Sequence, residues 1–173
     1  NKEEIDYWIP ELLKEDISAL TIHLRTSKEM SLVPANWEHI KKIKELIKKS
    51  GKEILLIGNG DVKDLKDAEE KALQYSVDGI MIGRGMFGNP WVLCSQRDFV
   101  PSLQEKLQVL VEHTKLFDKE LAKPKHKGFD VMKKHFKAYV NGFDGAKELR
   151  VKLMETENFS QVEKIVNDFL SKI

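Results

Sequence analysis

Apolar residues recur at helical spacing near the start of the chain (Ile5, Trp8, Ile9, Leu12, Leu13), which predicts an amphipathic helix over residues 5–15 that Pro10 either interrupts or helps to begin. The period then changes. "ISALTIHLR", residues 17–25, is a run rich in branched side chains that predicts a short strand ending in the polar group His23, Arg25 and Thr26. Helical spacing returns at Trp37, Ile40, Ile43, Leu46 and Ile47, with lysines on the opposite face, Asn36 as the expected N-cap and Gly51 as the stop. "EILLIGNGD", residues 53–61, is a continuous apolar run, the pattern of a strand buried on both faces of a parallel sheet. Asp64 is placed to cap "DLKDAEEKALQYS", whose first turn carries acids where the helix dipole favours them. "DGIMIGRG", residues 78–85, reads as a third strand, and "NPWVLC" as the start of a helix with Asn89 as cap and Pro90 at the first position. The order βαβαβα with short connections predicts a parallel sheet covered by helices, and three strands do not close a barrel.

Past Pro101 only helical spacing remains: Leu103, Leu107, Leu110 and Val111, then Val131 to Val140, Ala146 to Met154, and Val162 to Leu170. "VNGFDGAKEL" supplies a turn, and Ser160 with Glu163 three residues later is expected to form a capping box. The pattern therefore divides the chain into an α/β part, residues 1–100, and an all-helical part, residues 101–173.

Composition narrows the class. With 41% apolar and 33% charged residues in 173, the chain suits a globular protein, and no apolar run approaches the length of a membrane span. The acidic, amphipathic opening lacks the basic-then-apolar order of a secretion signal, so a cytoplasmic location is expected. It also lacks an initiator methionine and reads like helix from within a domain, which leads us to expect further protein upstream. The single cysteine, Cys94, rules out a disulfide framework and a cysteine-rich zinc site; the sequence offers no metal site. A net charge of +1 hides an asymmetry: Lys123, Lys125, Lys127, Lys133, Lys134 and Lys137 face one acid, Asp130, a local charge of +5. Such a run is commonly a solvated face, and alternatively an anion or nucleic-acid surface.

The candidate chemistry lies in the glycines. In α/β proteins the ligand sits outside the carboxyl ends of the strands, where "IGNGD" and "IGRG" both fall. Gly58 and Gly60 around Asn59, and Gly83 and Gly85 around Arg84, would expose backbone N–H groups beside polar side chains at two adjacent strand ends. Either cluster alone reads as turn chemistry; the pair, one βα unit apart, favours a phosphate cradle. His23 and Arg25 end the preceding strand, and alternation puts both on one side with Leu24 on the other. His23 can donate a hydrogen bond to a phosphate or a ring carbonyl.

These segments, with "LTIHLRT", "ANWEHIKKIKE", "IGNGDVKDLKDA", "DGIMIGRGMFGNPWV" and "MKKHFKAYVNGFDGAKELR" in order, resemble the tRNA-dihydrouridine synthases, flavoenzymes that reduce uridine in tRNA. The resemblance spans nearly the whole chain. It implies the C-terminal portion of a flavin-binding (β/α)8 TIM barrel, its last three βα units, followed by a small all-α bundle that helps to grip tRNA. Position by position it implies FMN contacts from His23, Asn59, Gly60, Asp61, Gly83 and Arg84. It further implies NADPH as reductant, hydride transfer from the flavin to uracil, and a cysteine as proton donor. The family's "N-x-G-C-P" loop and its flavin-contacting lysine have no counterpart in this sequence, Cys94 matches neither, and Leu24 stands where a glycine is usual. The chain alone is therefore expected to be inactive as a synthase and to need a missing N-terminal half of the same protein.

For tRNA, Lys133, Lys134 and Lys137 are expected to form a positive helix side, with Val131, Phe136 and Val140 facing the core and Arg150 extending the surface. Two other readings compete: an RNA-binding remnant that keeps only the helical grip, and a different FMN oxidoreductase, against which the helical tail argues.

Overall fold

In the computed structural model, which describes residues 3–94, 99–121 and 128–173, the three expected strands pair in parallel in the order β1 (Ala19–His23), β2 (Leu55–Asn59), β3 (Gly79–Met81). The register sets His23 beside Asn59 and Asn59 beside Met81, so all three strands end level. Asp78 fixes that alignment, because its carboxylate accepts the Leu56 amide at 2.8 Å while its own amide donates to the Leu56 carbonyl at 2.9 Å.

By contacts the chain divides into two units, Asn1–Gly85 and Met86–Ile173. In the first, helices α1 (Glu3–Leu12), α2 (His39–Ser50) and α3 (Leu65–Tyr75) accompany the strands. Pro10 lies inside α1 near its end. Ile9, Leu20, Leu24, Trp37, Ile43 and Leu56 belong to one buried core. Gly51 ends α2 at φ +72 as the sequence indicated, but the helix begins after Asn36: that side chain accepts the Glu38 amide at 3.2 Å and closes a turn ahead of α2 instead of capping it. Asp64 caps α3 by accepting the Asp67 amide at 2.8 Å.

The expectation that the second strand is buried on both faces is corrected. Leu56 and Gly58 are buried, whereas Leu55, pointing the other way, is 57% exposed. The apolar run reflects a second face that no described residue of this unit covers.

The second unit contains only helical elements among the described residues: short 3-10 turns at Pro90–Leu93 and Phe129–Met132, and helices α4 (Leu103–Glu120), α5 (Lys133–Tyr139), α6 (Ala146–Met154) and α7 (Phe159–Leu170). Leu107, Leu110, Phe136, Leu153, Val162 and Val166 are completely buried in its core. Ser102 and Glu105 form a full capping box on α4. The box expected at Ser160 is not found. Asn158 caps α7 instead, accepting the Gln161 amide at 3.1 Å, while the Gln161 side chain accepts the Glu157 amide at 2.8 Å. Asn89 likewise makes no side-chain cap, and "NPWVLC" closes only a 3-10 turn.

Residues 86–94 belong with the helices, although Gly88 and Pro90 continue the α/β pattern. Gly88, at φ +69, lies so close to α5 that a Cβ would stand 2.3 Å from the Ala138 carbonyl oxygen. No described helix is long and apolar enough to cross a membrane.

Candidate functional site

At the carboxyl ends of the strands, a cavity of about 630 Å³ is lined by His23, Asn59, Gly60, Asp61, Val62, Lys63, Gly83, Arg84 and Gly85. All six positions singled out for a cofactor meet there. Period-two alternation explains this: His23 and Asn59 occupy matching last positions of adjacent strands. The Asn59 side-chain amide donates to the Met81 carbonyl at 2.8 Å and so ties the second strand end to the third.

The loop after β2 turns sharply. Gly60 has φ +137, and a Cβ there would stand 2.7 Å from Ala35 Cβ, so only glycine fits. Its carbonyl accepts the Trp37 indole N–H at 3.1 Å. Asp61 follows at φ +50, left-handed for a residue with a side chain. Gly83 has nothing within 4 Å of a hypothetical Cβ, which leaves its backbone open to approach, while Gly85 lies against the Lys63 and Val62 carbonyl oxygens. Gly58 does not reach the rim; it sits in the strand beneath the Trp37 ring.

Asp61 is the electrostatic centre of the rim. Its Oδ2 accepts from Arg25 Nη2 and from the Ala35 amide at 2.8 Å; its Oδ1 accepts from Arg84 Nη2 at 3.1 Å. The Arg25 hydrogen bond, then the Ala35 amide, lower its pKa from 3.8 to about 2, against the opposing effect of burial. Arg25 itself turns inward, with only 4% of its side chain exposed, so it does not present itself to a ligand as alternation suggested. Leu24 is buried and does not crowd the rim. Val62 and Lys63 are the cavity residues that the sequence pattern did not single out; the place of Lys63 two residues after Asp61, in the loop ahead of the Asp64 cap, is the signal that could have found the charged one.

The cationic candidates of the second unit are less united. Lys133 pairs with Asp130 at 2.5 Å, and Lys134 lies over the Phe87 ring, 5.6 Å from its centroid. Lys137 and Arg150 do meet, with Lys147, Val151, Met154 and Glu155, around a separate cavity of about 430 Å³. Arg150 also donates to the Val140 carbonyl at 2.8 Å. Phe136 and Val140 are fully buried and Val131 packs partly buried against the same core. Lys123, Lys125 and Lys127 lie outside the described residues. Cys94 is half-buried beyond the 3-10 turn.

A parallel α/β unit with a cationic, glycine-lined cavity at its strand ends belongs to the broad class of proteins that receive ligands at that end of the sheet. The assignment narrows further: the family model for dihydrouridine synthase (Dus) matches residues 7–173, and the chain belongs to that family. It is 41% identical over 165 residues to "Probable tRNA-dihydrouridine synthase 2" of Bacillus subtilis, an alignment covering 95% of this chain and 50% of that protein. It is 40% identical over 162 residues to "Probable tRNA-dihydrouridine synthase" of Staphylococcus aureus, covering 94% and 49%. The same name is carried by a Staphylococcus epidermidis protein, 39% identical over 166 residues, with 96% and 50% covered. The chain thus spans about half the length of the curated relatives it matches.

Proposed function

We propose that this chain is one half of a cytoplasmic tRNA-dihydrouridine synthase, an FMN- and NADPH-dependent oxidoreductase that reduces uridine to 5,6-dihydrouridine in tRNA. On this reading the first unit is the last part of a flavin-binding (β/α)8 barrel and the second is a tRNA grip. The observation that carries the proposal is the rim cavity, found in a chain of this family.

The residues present fit a flavin phosphate. Arg84 and Lys63 supply positive charge and Gly83 offers an open backbone, a donor set suited to a dianion. Asn59 and Gly60 form the neighbouring wall, and His23 is exposed at the lip, where its ring N–H can donate to a carbonyl. FMN, when bound, supplies the hydride that reduces the uracil ring, with NADPH as its source. The sequence has no "N-x-G-C-P" run, and Cys94 is half-buried in the helical unit, so this chain binds flavin without providing the proton donor. In the second unit, Lys137, Lys147 and Arg150 beside Val151 and Met154 suit a phosphate-sugar backbone; Lys133 and Lys134 add charge along α5.

Titration of the purified chain with FMN, followed by quenching of flavin fluorescence, tests the reading. Binding is expected, weakened about tenfold or more by Arg84→Ala through loss of a charge-assisted contact, with no uridine-dependent NADPH oxidation. Absence of quenching, with tRNA binding retained, would replace this reading with an RNA-binding remnant.

A further inference from the structure

A cavity suited to a phosphate carries a carboxylate on its wall. Asp61 stands there beside Lys63 and Arg84, and an acid in that place repels an anion unless its charge is taken up. The group that takes it up lies beneath the cavity. Arg25 sends Nη2 to Asp61 Oδ2 and Nε to the Val33 carbonyl at 2.5 Å, so one rigid fork joins the end of β1, the following loop and the rim. The Ala35 amide donates to the same Oδ2, leaving Oδ1 to Arg84. Asp61 also holds the left-handed φ of +50, a conformation that persists only where its surroundings enforce it.

We propose that Arg25 is a positioning residue of the rim: without touching the ligand, it neutralises and orients Asp61, so that the carboxylate aims the Arg84 guanidinium at an anion instead of repelling it. Two guanidiniums around one carboxylate leave one positive charge to act on the ligand beside that of Lys63; without Arg25 the Arg84 charge is spent on Asp61 and only Lys63 remains. Exposure divides the two arginines accordingly, since the Arg25 side chain is 4% exposed and that of Arg84 61%. The low carboxyl pKa of Asp61 has the Arg25 hydrogen bond as its first cause. That the anion is the FMN phosphate rests on the function proposed above; the coupling of Arg25 to Asp61 does not.

The test uses the full 173-residue chain and two readouts. Carbon-13 NMR titration of the Asp61 carboxyl, with no ligand added, compares the unsubstituted chain with Arg25→Gln and Arg25→Lys. FMN affinity is then measured in Arg25→Gln, Asp61→Asn and the double variant. The Asp61 pKa is expected to rise toward the ordinary carboxylate range in Arg25→Gln, with the Ala35 amide and Arg84 still holding it down, and to rise less in Arg25→Lys. FMN binding should weaken about tenfold in Arg25→Gln, and by much less when the same change is made on Asp61→Asn, because a residue acting through Asp61 loses its effect once that charge is gone. If Arg25→Gln fails to fold, as judged by circular dichroism, Arg25→Lys carries the comparison. An unmoved Asp61 titration overturns the proposal, and so does equal weakening in both backgrounds. Should the unsubstituted chain fail to bind FMN, the flavin reading falls while the carboxyl titration still decides the coupling.

Discussion

Gly58 sets how close the Trp37 indole comes to the sheet. A Cβ at this position would stand 2.5 Å from Trp37 Cζ3, and the indole N–H in turn holds the Gly60 carbonyl in the rim loop. Gly58→Ala is therefore expected to destabilise the chain by about 1–3 kcal/mol through overpacking and to weaken FMN binding with it. Gly83→Ala, with nothing within 4 Å, should leave stability within about 0.5 kcal/mol. Urea denaturation separates the two; equal midpoints would show that the Trp37 contact does not constrain the loop. At this scale the sequence makes the rim legible, because alternation and the ends of apolar runs locate His23, Asn59, Gly60, Asp61, Gly83 and Arg84 without coordinates. It cannot reveal which arginine turns inward. Arg25 and Arg84 both follow strand ends, and only the fold of the Val33–Ala35 loop over Arg25 distinguishes them.

Two helices of the second unit bring a pair of imidazoles together. His113 on α4 and His135 on α5 have ring centroids 4.8 Å apart, the Tyr139 hydroxyl lies 3.4 Å from His113 Nδ1, and Phe87 packs on His135 at 5.1 Å. Burial lowers the pKa of both histidines, and the charges of His113 and Lys134 lower that of His135 further. The unfolded chain therefore takes up protons first. The contribution of the pair is intact above the ordinary histidine pKa of about 6.5 and is lost as the pH falls from there toward the lowered folded values. Stability followed by circular dichroism from pH 8 to pH 5 should decline in that window, and His113→Gln with His135→Gln should flatten the decline; an unchanged slope would assign it elsewhere. Helix interiors were well predicted, α6 to the residue, because periodicity reports a buried stripe directly. Ends were not. Both Asn158-x-x-Gln161 and Ser160-x-x-Glu163 satisfy the capping pattern, and the reciprocal use of Gln161 by the Glu157 amide selects the earlier one.

Across the whole molecule, the apolar run of β2 predicts burial on both faces, and the structure covers one of them. One side of the sheet leaves Leu55 57% and Met81 47% exposed, and among the described residues β1 and β3 each pair only with β2. An uncovered apolar face with open edges promotes association. Sedimentation of this chain should show concentration-dependent self-association that Leu55→Lys reduces; a monomer at every concentration would rule that out. In the proposed whole enzyme the same face would line the barrel interior. The division at Gly85, in place of the change in pattern near residue 100, also indicates how the protein can be taken apart. Cutting where the composition changes would remove Phe87 and Gly88 from the α5 surface on which they rest, exposing the His135 ring and the Ala138 backbone. A recombinant fragment beginning at Met86 would keep that cover, making it the better piece for isotope labelling or for grafting the helices onto another scaffold.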